Sequence, residues 1–170
     1  YFRAFGEELG RDDQFINVSG GAYGAWKASI YNDRIPHNLS WNALTPLWNT
    51  GSTLLTSPGG AYPPSPNPAQ WTTFNYGIQR NTLGGGFEFS NKTPWFVRAD
   101  YNEVEQTGLR LNSGALGTGS SNGLIQYGAP VDYKTKNAFI EGGYSSKQWG
   151  FRLAYLDSKF SNANDGMQFA

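Results

Sequence analysis

Read by alternate residues, the stretch PWFVRADYNEVEQTG from Pro94 separates into two unlike faces. One carries Trp95, Val97, Ala99 and Tyr101; the other carries Phe96, Arg98, Asp100 and Asn102. A period of two is the mark of a strand whose faces meet different surroundings. In a soluble protein the apolar face turns to the core and the charges to water. In a transmembrane barrel the arrangement is inverted, with apolar side chains against lipid and charges facing the lumen. What the chain can be depends on which of these faces is the inside.

Composition narrows the choice to β-structure. Aromatic residues are 16% of the 170 residues and glycine contributes 22, yet mean hydropathy is polar. Much Gly, Tyr, Trp, Asn and Ser, with few Leu, Ala or Lys runs, disfavours helix bundles. The formal net charge is zero and there is no basic cluster, so no nucleic-acid partner is expected. Without cysteine the chain can form no disulfide, no zinc–thiolate site and no C-x-x-C-H haem attachment. No run approaches 18 apolar residues, which rules out a transmembrane helix but not a membrane barrel, whose strands give only weak alternating signals. The opening YFRAFGEELG reads as that of a mature or truncated product.

Six strand-like segments are predicted, at about Tyr1–Leu9, Gln14–Tyr31, Thr82–Ser90, Pro94–Glu105, Val131–Ser145 and Gln148–Phe160. GRDD from Gly10, NKT from Asn91 and SSK from Ser145 read as short turns. Residues 33–80 and 106–130 read as long loops; the first holds seven of the nine prolines, including PPSPNP from Pro63, and the second GALGTGSSNG from Gly114. A short helix is possible near Ala69–Asn75. Alternating short and long connections is the rhythm of an outer-membrane barrel, with tight periplasmic turns and long extracellular loops. WFVRADY from Trp95 and WGFRLAY from Trp149 echo one another, each with Trp, then Arg, then Tyr at three-residue steps. Both place Trp and Tyr on one face and Arg on the other.

A soluble sandwich, such as a lectin or carbohydrate-binding module, shares the alternation and the turns. Against it, the aromatics of the apolar face sit at strand ends, where a membrane girdle puts them. The apolar face of the longest segment (Ile16, Val18, Gly20, Ala22, Gly24, Trp26, Ala28, Ile30) also has side chains too small to fill a soluble core. The expected fold is therefore all-β, a single partial barrel domain over residues 1–170 made of antiparallel transmembrane strands. Trp95, Val97, Tyr101, Trp149 and Tyr155 are expected to face lipid or its girdle. Glu88, Arg98, Asp100, Glu141 and Arg152 are expected to line the lumen, pairing across strands.

No catalytic apparatus is legible. His37, the only histidine, has no His or Cys partner for a metal and reads as a loop residue with a structural hydrogen bond. Glu7/Glu8 and Asp12/Asp13 are sequence neighbours whose side chains point apart on a strand, so they read as surface charge rather than an acid/base couple. Gly84–Gly86 lacks the following Lys-Ser/Thr of a phosphate loop and enters a strand.

Three segments together resemble a known family: GEELGRDDQFINVSGGAYGAWKASIYNDRIPHNLS, GGGFEFSNKTPWFVRADYNEVEQTGLR and GAPVDYKTKNAFIEGGYSSKQWGFRLAYLDSKF. They are similar to the decahaem-associated outer-membrane β-barrels of the MtrB/PioB type. Members are several times longer, with about two dozen strands, so the resemblance implies a fragment of a longer chain; six strands cannot close even an eight-stranded barrel. It also implies a bacterial outer-membrane sleeve around a periplasmic decahaem c-type cytochrome, passing electrons to or from an outer-surface multihaem cytochrome or a mineral. The haem would belong to that partner, with none bound covalently by this chain and no metal site in it. The alternatives are a general porin or transporter with an open lumen, and a secreted sandwich binding glycans through Trp41, Trp48 or Trp71.

Overall fold

A computed structural model describes residues 1–57, 67–90, 92–115 and 124–170. Its strands are β1 (Phe2–Glu7), β2 (Phe15–Ala22), β3 (Trp26–Thr45), β4 (Leu54–Leu55), β5 (Thr72–Phe89), β6 (Trp95–Ala115), β7 (Leu124–Ser145), β8 (Gly150–Asn162) and β9 (Gln168–Phe169). Seven form one sheet in the order β1-β2-β3-β5-β6-β7-β8, so each strand lies beside its predecessor in that series. The short β4 and β9 pair separately, in parallel. The all-β, antiparallel expectation holds, with seven sheet strands rather than six.

The extra strand comes from Gln14–Tyr31, which is a hairpin and not one long strand. Ala22 stands opposite Trp26 across the turn Tyr23–Ala25, closed by the Ala25 amide donating to the Ala22 carbonyl at 3.0 Å. Gly24, at φ +70°, takes the left-handed conformation that such a tight reversal needs. The offset from Ala22 to Trp26 is even, so even-numbered residues keep the same face on both strands. The alternation therefore crosses the turn without a break in phase, and periodicity alone could not detect it.

This hairpin also relocates GRDD. The Arg34 amide donates to the Gln14 carbonyl, whereas the Ser90 amide donates to the Ala25 carbonyl and Lys92 to Gly24. GRDD thus joins β1 to β2 at the end of the strands opposite the 23–25 and 146–149 turns and residues 92–94. The loops expected at 33–80 and 106–130 are also shorter than predicted, because β3 runs to Thr45, β5 starts at Thr72, β6 reaches Ala115 and β7 begins at Leu124. These extensions keep the alternation of a strand, as in Ile35, Leu39 and Trp41 against Arg34, Asn38 and Ser40, but their Asn, Ser and Gly are also turn residues and Pro36 cannot donate to a ladder. His37 accordingly lies in β3, exposed, and not in a loop. The helix considered at Ala69–Asn75 is a single 3-10 turn, Pro68–Gln70, capped by the Asn67 side chain accepting from the Ala69 amide at 3.1 Å. Most of PPSPNP and GALGTGSSNG, and Asn91 of NKT, lie outside the described residues.

Two compact units divide the described residues. The first comprises 1–35, 80–105 and 133–161; the second 36–79, 106–132 and 162–170. The second has a conventional apolar core, in which Leu47, Leu55, Ile125, Tyr127 and Ala129 are buried and Met167 packs against them. Buried Thr45 is satisfied by donating to the Gln126 carbonyl at 3.0 Å. The first unit has no comparable cluster among its described residues; its large apolar side chains lie exposed.

Candidate functional site

The first unit is organised as two faces of one sheet. On one face, β6 contributes Trp95, Val97, Ala99 and Tyr101, and β8 contributes Trp149, Phe151, Leu153 and Tyr155. From β7 between them come Ala138, Ile140, Gly142 and Tyr144. Ring contacts fix this assignment: Tyr144 lies 5.0 Å from Trp95 and 4.7 Å from Trp149, centroid to centroid. The two halves of the WFVRADY/WGFRLAY echo therefore flank one strand in the same phase. Ile30, Leu83, Phe87, Ala99 and Tyr101 border one shallow apolar hollow, which adds β3 and β5 to the same face. The register of β2 on β3 adds Ile16, Val18, Gly20 and Ala22.

Each of these rows is apolar for about four positions, then turns polar at a common height. Gln14, Asn32 and Asn81 form a chain, Gln14 donating to Asn32 at 3.4 Å and Asn32 to Asn81 at 2.8 Å. On the next strands Glu103 meets Lys134 at 2.9 Å and Lys136 at 3.3 Å, and Lys134 also meets Glu105 at 2.6 Å. Beyond the apolar band, the Lys134 ammonium donates to the Glu105 and Glu103 carboxylates, which pushes its pKa up, and Lys134 in turn holds the Glu103 carboxyl below its usual range. Four alternate positions span about 20 Å of strand. Within that band Leu153 is 78% exposed, Ile30 56% and Ile140 53%. A continuous apolar face of this kind is foreign to a water-soluble surface.

The opposite face is charged and aromatic. Arg98 pairs with Asp100 two residues along β6 at 2.7 Å, and its guanidinium lies 5.9 Å from the centre of the Phe139 ring. Glu88, Arg98 and Asp100 border one polar hollow of about 280 Å3 together with Lys27 and Ser29. Farther along, Arg152 of β8 pairs with Glu141 of β7 at 3.5 Å. An amide ladder crosses three strands, Asn137 donating to Asn102 at 2.8 Å and Ser158 to Asn137 at 2.7 Å. The glycines Gly84 and Gly86 make room on this face: a methyl group on Gly84 would lie 2.5 Å from the Tyr31 ring, and one on Gly86 2.5 Å from the Asp100 carboxylate. GGG is thus a packing device, in line with its exclusion as a phosphate loop.

The family model for outer-membrane β-barrel porins of the MtrB/PioB type matches residues 1–170. The chain belongs to that family. Its place is the bacterial outer membrane, and its sheet is part of a porin-like barrel that this chain leaves open, with β1 and β8 at its ends. None of the curated proteins compared with it matches.

Within this MtrB/PioB barrel, the ten residues singled out from sequence segregate as two sets of five. Trp95, Val97, Tyr101, Trp149 and Tyr155 share the apolar face. Trp95 and Trp149 converge on Tyr144 at one end, while Tyr101 lies at the other, its hydroxyl donating to Glu103 at 3.3 Å. Glu88, Arg98, Asp100, Glu141 and Arg152 share the charged face, but in two groups: the first three around one hollow, the last two as a separate pair. Sequence reasoning missed Lys27 and the aromatics Phe96 and Phe139. Their period-two positions are legible in the sequence. The acidic pairs near the first turn are surface charges balanced by arginine, with Arg11 meeting Glu8 at 3.1 Å and Asp13 at 3.3 Å.

Proposed function

We propose that this barrel is a sleeve: its apolar face lies in lipid, and its charged face holds a periplasmic decahaem c-type cytochrome, insulating a chain of haems that carries electrons across the outer membrane. The long connections would then face the cell exterior, where an outer-surface multihaem cytochrome can meet the housed one. The role is scaffolding rather than catalysis. One observation carries the reading. The charged face is not simply hydrophilic: Phe5 and Phe15 meet at 6.1 Å, Tyr133 and Phe160 at 5.4 Å, and Phe139 lies under Arg98. Aromatic residues and arginine among polar groups are what a protein-binding surface presents. The interior of an open porin is polar and water-filled, so the rings on this face support a protein occupant. These 170 residues hold no cysteine and so no C-x-x-C-H attachment, and in this reading the haem belongs to the partner.

The test is purification in mild detergent from native membranes. The sleeve predicts a c-type haem absorbance and a multihaem cytochrome that stays with the barrel through size exclusion. A haem-free barrel that conducts small ions freely in planar bilayers would instead establish the open porin.

A further inference from the structure

The second unit holds a groove that the sleeve reading does not use. Its volume is about 360 Å3, within the range of small-ligand sites. Asn38, Ser40 and Trp41 of β3 border it, with Asn75 and Gln79 of β5 and Thr107 of β6. No Asp, Glu, Lys or Arg is among the bordering residues. The chemistry on offer is therefore amide and hydroxyl hydrogen bonding beside a large indole, without any formal charge. Trp41 is 67% exposed.

The backbone around that indole is held. Asn42, the next residue, sits at φ +58°, a left-handed conformation that asparagine tolerates better than most residues. Its amide donates to the Asn75 side chain at 2.9 Å, fixing the turn of chain that presents Trp41. The floor is glycine. Gly108 adopts φ +136°, and a side chain there would run into the Gly77 carbonyl; one on Gly77 would lie 2.7 Å from the His37 carbonyl oxygen. Close approach of three strands leaves a shallow trough with these polar residues along its border.

We infer that this groove is a saccharide-binding subsite, taking a neutral sugar of a surface glycan. The indole would stack on the apolar C–H face of the ring, as its amphipathic character allows. The amides of Asn38 and Gln79 and the hydroxyls of Ser40 and Thr107 would exchange hydrogen bonds with ring hydroxyls, which both donate and accept. A phosphate or carboxylate ligand is disfavoured because no cation borders the groove. The inference stands independently of the cytochrome.

The experiment is isothermal titration of the detergent-purified protein with two probes: core oligosaccharide released from lipopolysaccharide by mild acid, and maltohexaose. Saturable binding of the neutral maltohexaose, with or without the core oligosaccharide, supports a neutral-glycan site; binding of the core oligosaccharide alone, whose phosphate and carboxylate groups set it apart, would overturn it. Trp41→Ala should weaken binding about tenfold or more, the scale of one good aromatic contact. Trp41→Tyr should retain most of it, and Trp48→Ala, outside the groove, should leave it unchanged. Should Trp41→Ala fail to assemble, Gln79→Ala and Thr107→Val serve in its place, each weakening binding with an unchanged melting curve. Absence of binding by both probes, or full affinity in the assembled Trp41 or Gln79 variant, would overturn the proposal.

Discussion

Val97 and Arg98 are adjacent in sequence and opposite in surroundings, so they test the assignment of faces most directly. Val97 is 44% exposed in the middle of the apolar row, while Arg98 pairs with Asp100 on the charged face. An arginine on the lipid face of a barrel strand costs about 2–4 kcal/mol near the midplane. Losing one exposed ion pair costs about 0–1 kcal/mol. Val97→Arg is therefore expected to block assembly and Arg98→Ala to leave it nearly intact, read as the fraction with heat-modifiable gel mobility. Equal tolerance would reverse or abolish the facing. A second residue-scale prediction concerns Gly84, where a methyl would press on the Tyr31 ring. Gly84→Ala is expected to destabilise by about 1–3 kcal/mol, as overpacking does. Tyr31→Ala should relieve most of that cost, so a double-mutant cycle in urea should return a coupling energy well above zero.

Among the elements, the β2–β3 hairpin and the second unit's core behave differently. In the hairpin the apolar row is exposed or half-buried, and its order rests on the antiparallel ladder. The segment after β3, by contrast, is fixed by burial. Leu55 is fully buried against the cluster of Leu47, Ile125, Tyr127 and Ala129, and the parallel pairing of β4 with β9 ties residues 54–55 to 168–169. Leu55→Ala is expected to cost about 2–5 kcal/mol. The loss should be local: pulse proteolysis in urea should show earlier cleavage within residues 46–57, while the strands of the first unit keep their protection. Uniform loss of protection throughout the chain would contradict this division.

At the scale of the molecule, the chain belongs to the outer membrane, and the apolar band at a common height on successive strands is the part that the proposed facing puts in lipid. The protein should stay in membranes through salt and alkaline carbonate washes and leave only with detergent; release without detergent would contradict the membrane placement. In the sheet, β1 and β8 each have a neighbour on one side alone, and unpaired strand edges are untenable in hydrocarbon, so further strands must cover them. Much of this was legible beforehand. Alternation in PWFVRADYNEVEQTG separated Trp95, Val97 and Tyr101 from Arg98 and Asp100, because side chains on a strand must alternate whatever surrounds it. The same regularity hid the Tyr23–Ala25 turn, whose even offset preserves phase. The strand ends at 33–45 and 72–80 are hidden for a different reason: Ile35, Leu39 and Trp41 alternate with polar neighbours, as do Phe74, Tyr76 and Ile78, but the Pro, Asn, Ser and Gly among them are also the residues of turns and loops. By itself, then, the sequence determined the strand class, the two faces and the family, all consequences of local periodicity and residue type. Only tertiary structure decided which strands pair and that Glu88, Arg98 and Asp100 share one hollow while Glu141 and Arg152 form another pair. It also brought Trp41 to a groove with Asn75 and Thr107. Those juxtapositions depend on register between residues far apart in the chain, which no local pattern encodes.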